Sequence, residues 1–346
     1  MFTTLKRRLD SELISFCRDI EKKYRLNSIS PLLFQKIKEF IIRDGKRVRP
    51  ILFVIGYKGF SRHQAPGLYT SALSIELLHD FMLVHDDIID KSATRRGAPS
   101  MHTMLNNHLA RHKKIKFSGQ DLAIAAGDVM YAMAIDSFLS IKENMERKER
   151  ALRTFIEAAI FTGSGEFIEL LAGTKHIKDI TQKDIYKIYD YKTAYYTFAS
   201  PLASGAILGG ANQKEIKILF TFGLCLGRAF QIKDDIIGMF GNEAEIGKSA
   251  LTDLQEAKKT LLVWYAYRAG TAADKKMIEK VFVKPVVTKS DLETMNHIVI
   301  TTGALAYAQN EIRQLTDKIH ELNSKSRMKQ AYKNMLASYT RKILSL

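Results

Sequence analysis

The chain is 346 residues long, 46% hydrophobic and 26% charged, and its 53 basic against 37 acidic residues give a net charge of +16. Its two cysteines, Cys17 and Cys225, supply neither a disulfide framework nor a metal-ligand spacing, which excludes a disulfide scaffold and points to a reducing, cytoplasmic compartment. The basic excess suits nucleic acid, an anionic membrane surface or a polyanionic substrate, but no zinc-finger, RNA-recognition or basic-zipper pattern is present, so no nucleic-acid partner is expected.

The N-terminus, MFTTLKRRLDSEL, carries basic residues without the apolar core of a secretory signal. No run approaches the ~18 apolar residues of a membrane span, so membrane association would be peripheral. Without a Pro- or Gly/Ser-rich linker, a low-complexity run or a fixed-period repeat, residues 1–346 are expected to form one continuous domain. Apolar residues recur at three- and four-residue spacing almost throughout and alternating β-branched runs are nearly absent. This predicts an all-α bundle of roughly a dozen helices.

In chain order, an amphipathic helix is expected over 3–24 and a second over 31–43, with Ser30 as N-cap before Pro31. Next comes a cation-rich turn, Asp44-Gly45-Lys46-Arg47-Val48-Arg49-Pro50. Gly45 allows close backbone approach to a ligand, and Lys46 and Arg49 lie one turn apart, placed to grip a diphosphate. Taken alone, such a turn is more often simply solvated.

The stretch Ser71–Asp90 is the focus of the chain. Wound as a helix, it puts Glu76, His79, Asp86, Asp87 and Asp90 within roughly one 100° arc, with Leu73, Leu77, Leu78, Phe81 and Val84 opposite. Three carboxylates in five residues repel one another unless cations sit between them, and hard divalent ions, Mg²⁺ above all, suit oxygen ligands that leave room for water and phosphate. Arg95 and Arg96 follow at once, as ion-pair partners or as a grip on outer phosphate oxygens. The basic segment 103–120, with His108, His112 and Gly119, reads as a loop or short helix. Helices are expected near 121–140 and 148–172.

Around 185–200, Tyr189, Asp190, Lys192, Thr193, Tyr195 and Tyr196 crowd one segment, where tyrosines at helical spacing are core by default. One long helix over 213–240 places Gln231, Asp234, Asp235 and Gly238 in a second arc of about 100°. Two acidic helix faces meeting inside a bundle is how all-α proteins build metal sites. The segment 241–249 has the glycines and the lysine, Lys248, of a lid over phosphates. Its GNxxxxGKS order imitates a nucleotide-binding P-loop but follows no strand and is one residue off in spacing. Thr181 with Asp184, Asn212 with Glu215, and Ser290 with Glu293 read as capping boxes or close relatives. Gly270 and Gly303 read as stops or tight contacts. Further helices are expected near 255–269, 301–323 and 328–343.

In this order, the motifs GKRVRP (45–50), His79, DDIIDKSATRRG (86–97), Lys192-Thr193, FQIKDDIIG (230–238) and the GKS at 247–249 resemble the trans-isoprenyl diphosphate synthases, the polyprenyl synthetase family, over about residues 40–260. The resemblance implies prenyl-chain elongation on a helical bundle with a central cavity, in a homodimer. It implies that Asp86, Asp90 and Asp234 coordinate about three Mg²⁺ ions on an allylic diphosphate, with Asp87 and Asp235 in support. Arg95, Lys192, Gln231 and Lys248 would serve the allylic side, and Thr193 would also bind substrate. Lys46, Arg49, His79 and Arg96 would hold isopentenyl diphosphate. Departures are Gly238 where the second motif often has Asp, and Glu166 and Glu169 where the family often has Gln and Asp; both glutamates stay outside the assigned site.

Product length rests on Phe81 and Met82. In similar enzymes an aromatic five residues before the first motif goes with a C20 product, whereas ideal helix geometry puts Met82, not Phe81, about 6 Å beneath Asp86. Geranylgeranyl diphosphate is the expected product, with a farnesyl or longer chain as the alternative. A class I terpene cyclase would share the bundle but normally carries a different second metal motif. A non-catalytic regulatory subunit would usually lose the paired aspartates.

Overall fold

In the computed structural model, which describes residues 2–241 and 251–345 (the side chains of 252 and 253 excepted), the chain is helical almost throughout. Lys248 and the rest of 242–250 lie outside the described residues. The chain divides into two compact units, one of residues 1–153 with 204–210, the other of 154–203 with 211–346.

In the first unit, α1 (Phe2–Tyr24) buries Leu9, Leu13, Phe16, Cys17 and Ile20, the one-sided stripe its spacing predicts. A short α2 (Leu26–Ile29) leads into α3 (Pro31–Ile41), where the Ser30 side chain accepts from the Leu33 N–H and Pro31 occupies the first turn. Helix α4 (Val48–Phe60) starts inside the expected turn, because Arg47 takes the left-handed region (φ 49°) and ends the reversal there. Arg49 and Pro50 are therefore helical, and Pro50 needs no N–H donor so near the helix start.

Helix α5 (Leu68–Ile89) is buried over most of its length. A two-residue hairpin missed by the spacing analysis follows, β1 (Thr94–Arg95) antiparallel to β2 (Ala98–Pro99) with Thr94 opposite Pro99. The basic segment resolves into α6 (Met101–Leu109), a loop, and α7 (Gly119–Leu139), opened by a Ser118–Asp121 capping box. Helix α7 lies along α5 and against α6. It also corrects the expectation about membrane spans: by length and composition α7 is apolar enough to cross a bilayer, yet 44% of its most apolar window is already buried in this packing.

Helix α8 (Met145–Thr174) begins in the first unit and supplies the start of the second. There follow a 3₁₀ turn (Ile177–Asp179), α9 (Gln182–Ile188), a π-helix (Tyr189–Ala199), α10 (Ser200–Leu208) and α11 (Gln213–Phe240). The second unit ends in α12 (Thr252–Gln255), α13 (Leu261–Ala269), α14 (Ala272–Phe282), α15 (Lys289–Thr301), α16 (Ala304–Lys325) and α17 (Gln330–Leu344). Its core runs through Ile185, Ile232, Leu261, Leu262, Met295 and Ala308.

The 213–240 helix is one element, as expected, and lies against the π-helix and α16. Gly223 and Gly227 make the first contact possible: a Cβ on either would come within 2.4 Å of the Cα of Ala199 or Ala194. The Thr181–Asp184 box forms, and Asn212 caps α11 by accepting from the Glu215 N–H. The third cap is corrected to Thr288 with Asp291, two residues before the expected pair. Helices α14 and α15 were not anticipated as separate elements. The eleven-residue π-helix was not anticipated either; at its end the Ser200 N–H reaches back five residues to the Tyr195 carbonyl.

Candidate active site

The acidic face of α5 falls into two halves with different surroundings. The upstream half is buried rather than a solvated line: Glu76 and Asp80 are 2% and 0% exposed. Arg47, turned inward by its left-handed backbone, donates to Glu76 Oε1 at 2.9 Å, to Asp10 Oδ1 at 2.8 Å and to the Arg43 carbonyl at 2.7 Å. Arg96 Nη2 lies 3.2 Å from Asp80 and 3.8 Å from Glu76. Burial raises the Asp80 carboxyl to about 7 against the pull of Arg96. Gly45 sits against this cluster, since a Cβ there would meet the Arg47 guanidinium at 3.2 Å and Arg96 Cζ at 3.5 Å. His79 is held neutral, because burial and the guanidiniums of Arg49, Arg96, Arg95 and Arg47 push its pKa well below the ordinary value.

Of the residues expected to hold one diphosphate, the fold thus gathers Arg49, His79 and Arg96 in one electropositive region. Lys46 is exposed at the turn beside it.

The downstream half is open. Asp86 and Asp90 are half-buried, one helical turn apart, each with a carboxylate oxygen within 4.8 Å of the other's. Asp90 caps α5, its N–H donating to the Asp86 carbonyl at 2.8 Å. These carboxylates crowd the negative end of the helix dipole, where a cation between them would be favoured. Asp87 is buried and takes Arg95 Nε at 2.7 Å; Arg95 Nη2 also contacts Asp87 and lies 3.4 Å from Asp86. Burial raises the Asp87 carboxyl to about 6 despite this arginine. The hairpin explains the divergence of neighbouring arginines: Arg95 in β1 turns to Asp87 and Asp86, while Arg96, left-handed at φ 54°, turns to Asp80 and Glu76.

Beneath this acidic end, the Phe81 ring lies 5.2 Å from that of Tyr131 on α7 and 4.7 Å from that of His85. Gly127 on α7 leaves room for them, as a Cβ would come within 2.7 Å of His85 and 3.5 Å of Phe81.

The second unit holds the other expected residues. Lys192 sits in the π-helix with its Nζ 2.6 Å from Glu166 and in contact with Glu169, both on α8. These glutamates, left outside the expected site, are ion-pair partners of the lysine. Gly165 was the available signal, because a Cβ there would strike the Lys192 backbone at 2.4 Å. Thr193 donates to Gln231 Oε1 at 2.8 Å and Gln231 donates to Asp235 Oδ1 at 3.0 Å. Tyr189, buried, donates to Asp235 and accepts from the Leu261 N–H at 2.9 Å. Tyr189 is therefore more than core filling, which its spacing alone could not reveal. Arg228 braces the segment, donating to both oxygens of Asp190 at 2.6 Å. Asp234 is exposed and Asp235 buried.

Residues 30–300 match the polyprenyl synthetase family. The geranylgeranyl diphosphate synthase of Sulfolobus acidocaldarius is 30% identical over 336 residues, 95% of this chain and 96% of that one. The geranylfarnesyl diphosphate synthase of Aeropyrum pernix is 30% identical over 285 residues, 81% of this chain and 83% of its own. In fold, the chain is similar to the geranylgeranyl pyrophosphate synthase of Corynebacterium glutamicum, solved with isoprenyl diphosphate and magnesium, with a TM-score of 0.89 at 24% identity over 98% of both chains.

Proposed function

The chain belongs to the polyprenyl synthetase family and is a prenyltransferase, and from that premise we propose that it condenses isopentenyl diphosphate with an allylic diphosphate to make geranylgeranyl diphosphate. The observation that carries the proposal is the division of the α5 face into a carboxylate end and an arginine–histidine end, which suits two diphosphates held in two ways.

The carboxylate end, with its hard oxygen donors, fits magnesium; Asp86 and Asp90 would hold it with Asp234, supported by Asp87 and Asp235, in a cluster of about three ions. Magnesium, when bound, would neutralise the charge growing on the departing diphosphate. Arg95, Lys192, Gln231 and Lys248 would hold that diphosphate, with Thr193 orienting the Gln231 amide. Lys46, Arg49, His79 and Arg96 would hold isopentenyl diphosphate without metal. Neutral His79 contributes an N–H without adding charge to the arginines around it. The allylic C–O bond breaks, the isopentenyl double bond forms the new C–C bond, and a proton leaves, the released diphosphate being the nearest base. Apolar walls keep water from the allylic cation.

Mass spectrometry of products from isopentenyl diphosphate with C5, C10 and C15 primers tests this. A C20 product is expected. Phe81→Ala, which opens the Phe81–Tyr131 contact, is expected to lengthen it. Absence of any prenyl diphosphate would point to a regulatory subunit, and a hydrocarbon made from geranylgeranyl diphosphate alone would point to a cyclase.

The two compact units are read as one catalytic domain, supported by the match of a single solved chain across 98% of this one. Cytoplasmic function is supported by the free, buried Cys17 and Cys225. The enzyme is further proposed to be a homodimer joined through α8, whose Ile156, Ile160, Phe167, Leu170 and Leu171 are exposed along one face, with Gly163 and Ser164 between them. Apolar side chains in such a row favour burial against a second copy. Ile160→Asp with Phe167→Asp is expected to give a monomer by light scattering, and an unchanged mass would remove α8 from the interface.

A further inference from the structure

The loop between α6 and α7 reads Arg111-His112-Lys113-Lys114-Ile115-Lys116-Phe117, and every one of these side chains is exposed, Ile115 by 41% and Phe117 by 49%. The run contains no carboxylate, and among the described residues none of its four Lys and Arg side chains is in an ion pair. The base of the loop is clasped. The Gly119 N–H donates to Asn106 Oδ1 at 2.7 Å, Asn106 Nδ2 donates to Gln120 at 3.3 Å, and Ser118 donates to Asp121. Only glycine fits at 119, since a Cβ would lie 2.4 Å from the His102 carbonyl oxygen. At the crest, Lys114 takes the left-handed region (φ 62°) and turns the chain between the two lysine-bearing arms. The cations and the two apolar side chains are thus held out together on a closed base.

We propose that this loop docks the enzyme on an anionic lipid surface, Ile115 and Phe117 entering the headgroup boundary while Arg111, Lys113, Lys114 and Lys116 meet lipid phosphates. The net charge of +16 draws the whole molecule to such a surface. A bilayer suits the loop better than nucleic acid because an aliphatic side chain gains from entering acyl chains and nothing from stacking on a base. The benefit to the enzyme rests on the proposed function, since a prenyl diphosphate is an anionic amphiphile that a nearby bilayer would receive; the binding itself does not.

Co-sedimentation of the full chain with phosphatidylcholine vesicles, with and without one third phosphatidylglycerol, tests the proposal. Binding is expected only to the anionic vesicles and is expected to fall as salt rises. Lys113→Gln with Lys116→Gln should weaken it by about fivefold per charge, and Ile115→Ser with Phe117→Ser by about tenfold or more. All variants should retain wild-type turnover in solution, because none of these residues belongs to the proposed site. Failure to bind anionic vesicles, or binding that the serine variant keeps in full, overturns the proposal. So does tighter binding to a short RNA duplex than to vesicles. Failure of the functional reading would show instead as missing product in vesicle-free solution.

Discussion

Asp86→Asn is expected to lower kcat by about 10²–10³-fold while leaving the protein folded. Asparagine keeps the oxygen and the size but loses the charge that the α5 terminus would present to magnesium together with Asp90, its neighbour one turn on. The substitution leaves the closer Arg95–Asp87 pair in place, with Nε at 2.7 Å from Oδ1. Because Asp86 is half-buried at a helix end, the change in stability should stay within about 0.5 kcal/mol. Raising magnesium should recover part of the rate, as expected for a weakened ion site. Turnover over a magnesium series, with a melting curve, checks it. An unchanged rate, or a loss of rate accompanied by unfolding, would remove Asp86 from the proposed role.

The largest structural effect is expected at Arg47, a residue the sequence analysis passed over between Lys46 and Arg49. Arg47→Leu should destabilise the protein by about 3–5 kcal/mol and lower the melting temperature by about 10 °C. Its side chain is 1% exposed and bonds two carboxylates and a carbonyl; without it, Glu76 loses its 2.9 Å partner and keeps Arg96 at 3.8 Å, while Asp80 keeps Arg96 at 3.2 Å. Removing one partner of a buried ion pair costs more than the pair contributes, because the remaining charge is stranded. Arg47→Leu with Glu76→Gln should therefore cost less than the sum of the two single changes. Additive losses in denaturant unfolding would show that the pair is not coupled.

Local order was largely legible. Three- and four-residue spacing located α1, α3, α7, α8 and α11, and the Ser30, Thr181 and Asn212 caps lie where their side chains predict. Misreadings came where two local solutions compete or where a distant residue decides. Thr288-x-x-Asp291 and Ser290-x-x-Glu293 both match a capping box, and the earlier one forms, with Lys284 adding a 2.5 Å contact to Asp291. A hairpin of two-residue strands is too short to show alternation. The π-helix has no residue signature, so Tyr189 passed for core although it binds Asp235. Asp80 falls outside the arc drawn for an ideal helix, and its contact with Arg96, sixteen positions on, shows that it belongs to the charged cluster. The same non-local pairing joins Lys192 to Glu166 and Glu169, whose spacing on α8 signals nothing by itself.

The π-helix carries a consequence for insertions and deletions. Each of its turns holds about one residue more than an α-turn, so loss of a single residue between Tyr189 and Lys192 could be absorbed by rewinding to ordinary pitch. Rewinding would keep the helix on either side of the cut in register but swing the side chains inside the rewound turn to new faces, and without it everything upstream of the cut would be rotated by about 100° relative to what lies downstream. Lys192 and Tyr189 could then no longer both meet their carboxylates, and the small residues Ala194 and Ala199 would lose register with Gly223 and Gly227. In the exposed 111–117 loop the same deletion would merely shorten a crest. Length changes should therefore be frequent there and nearly absent between 189 and 199, even where substitutions are accepted in both.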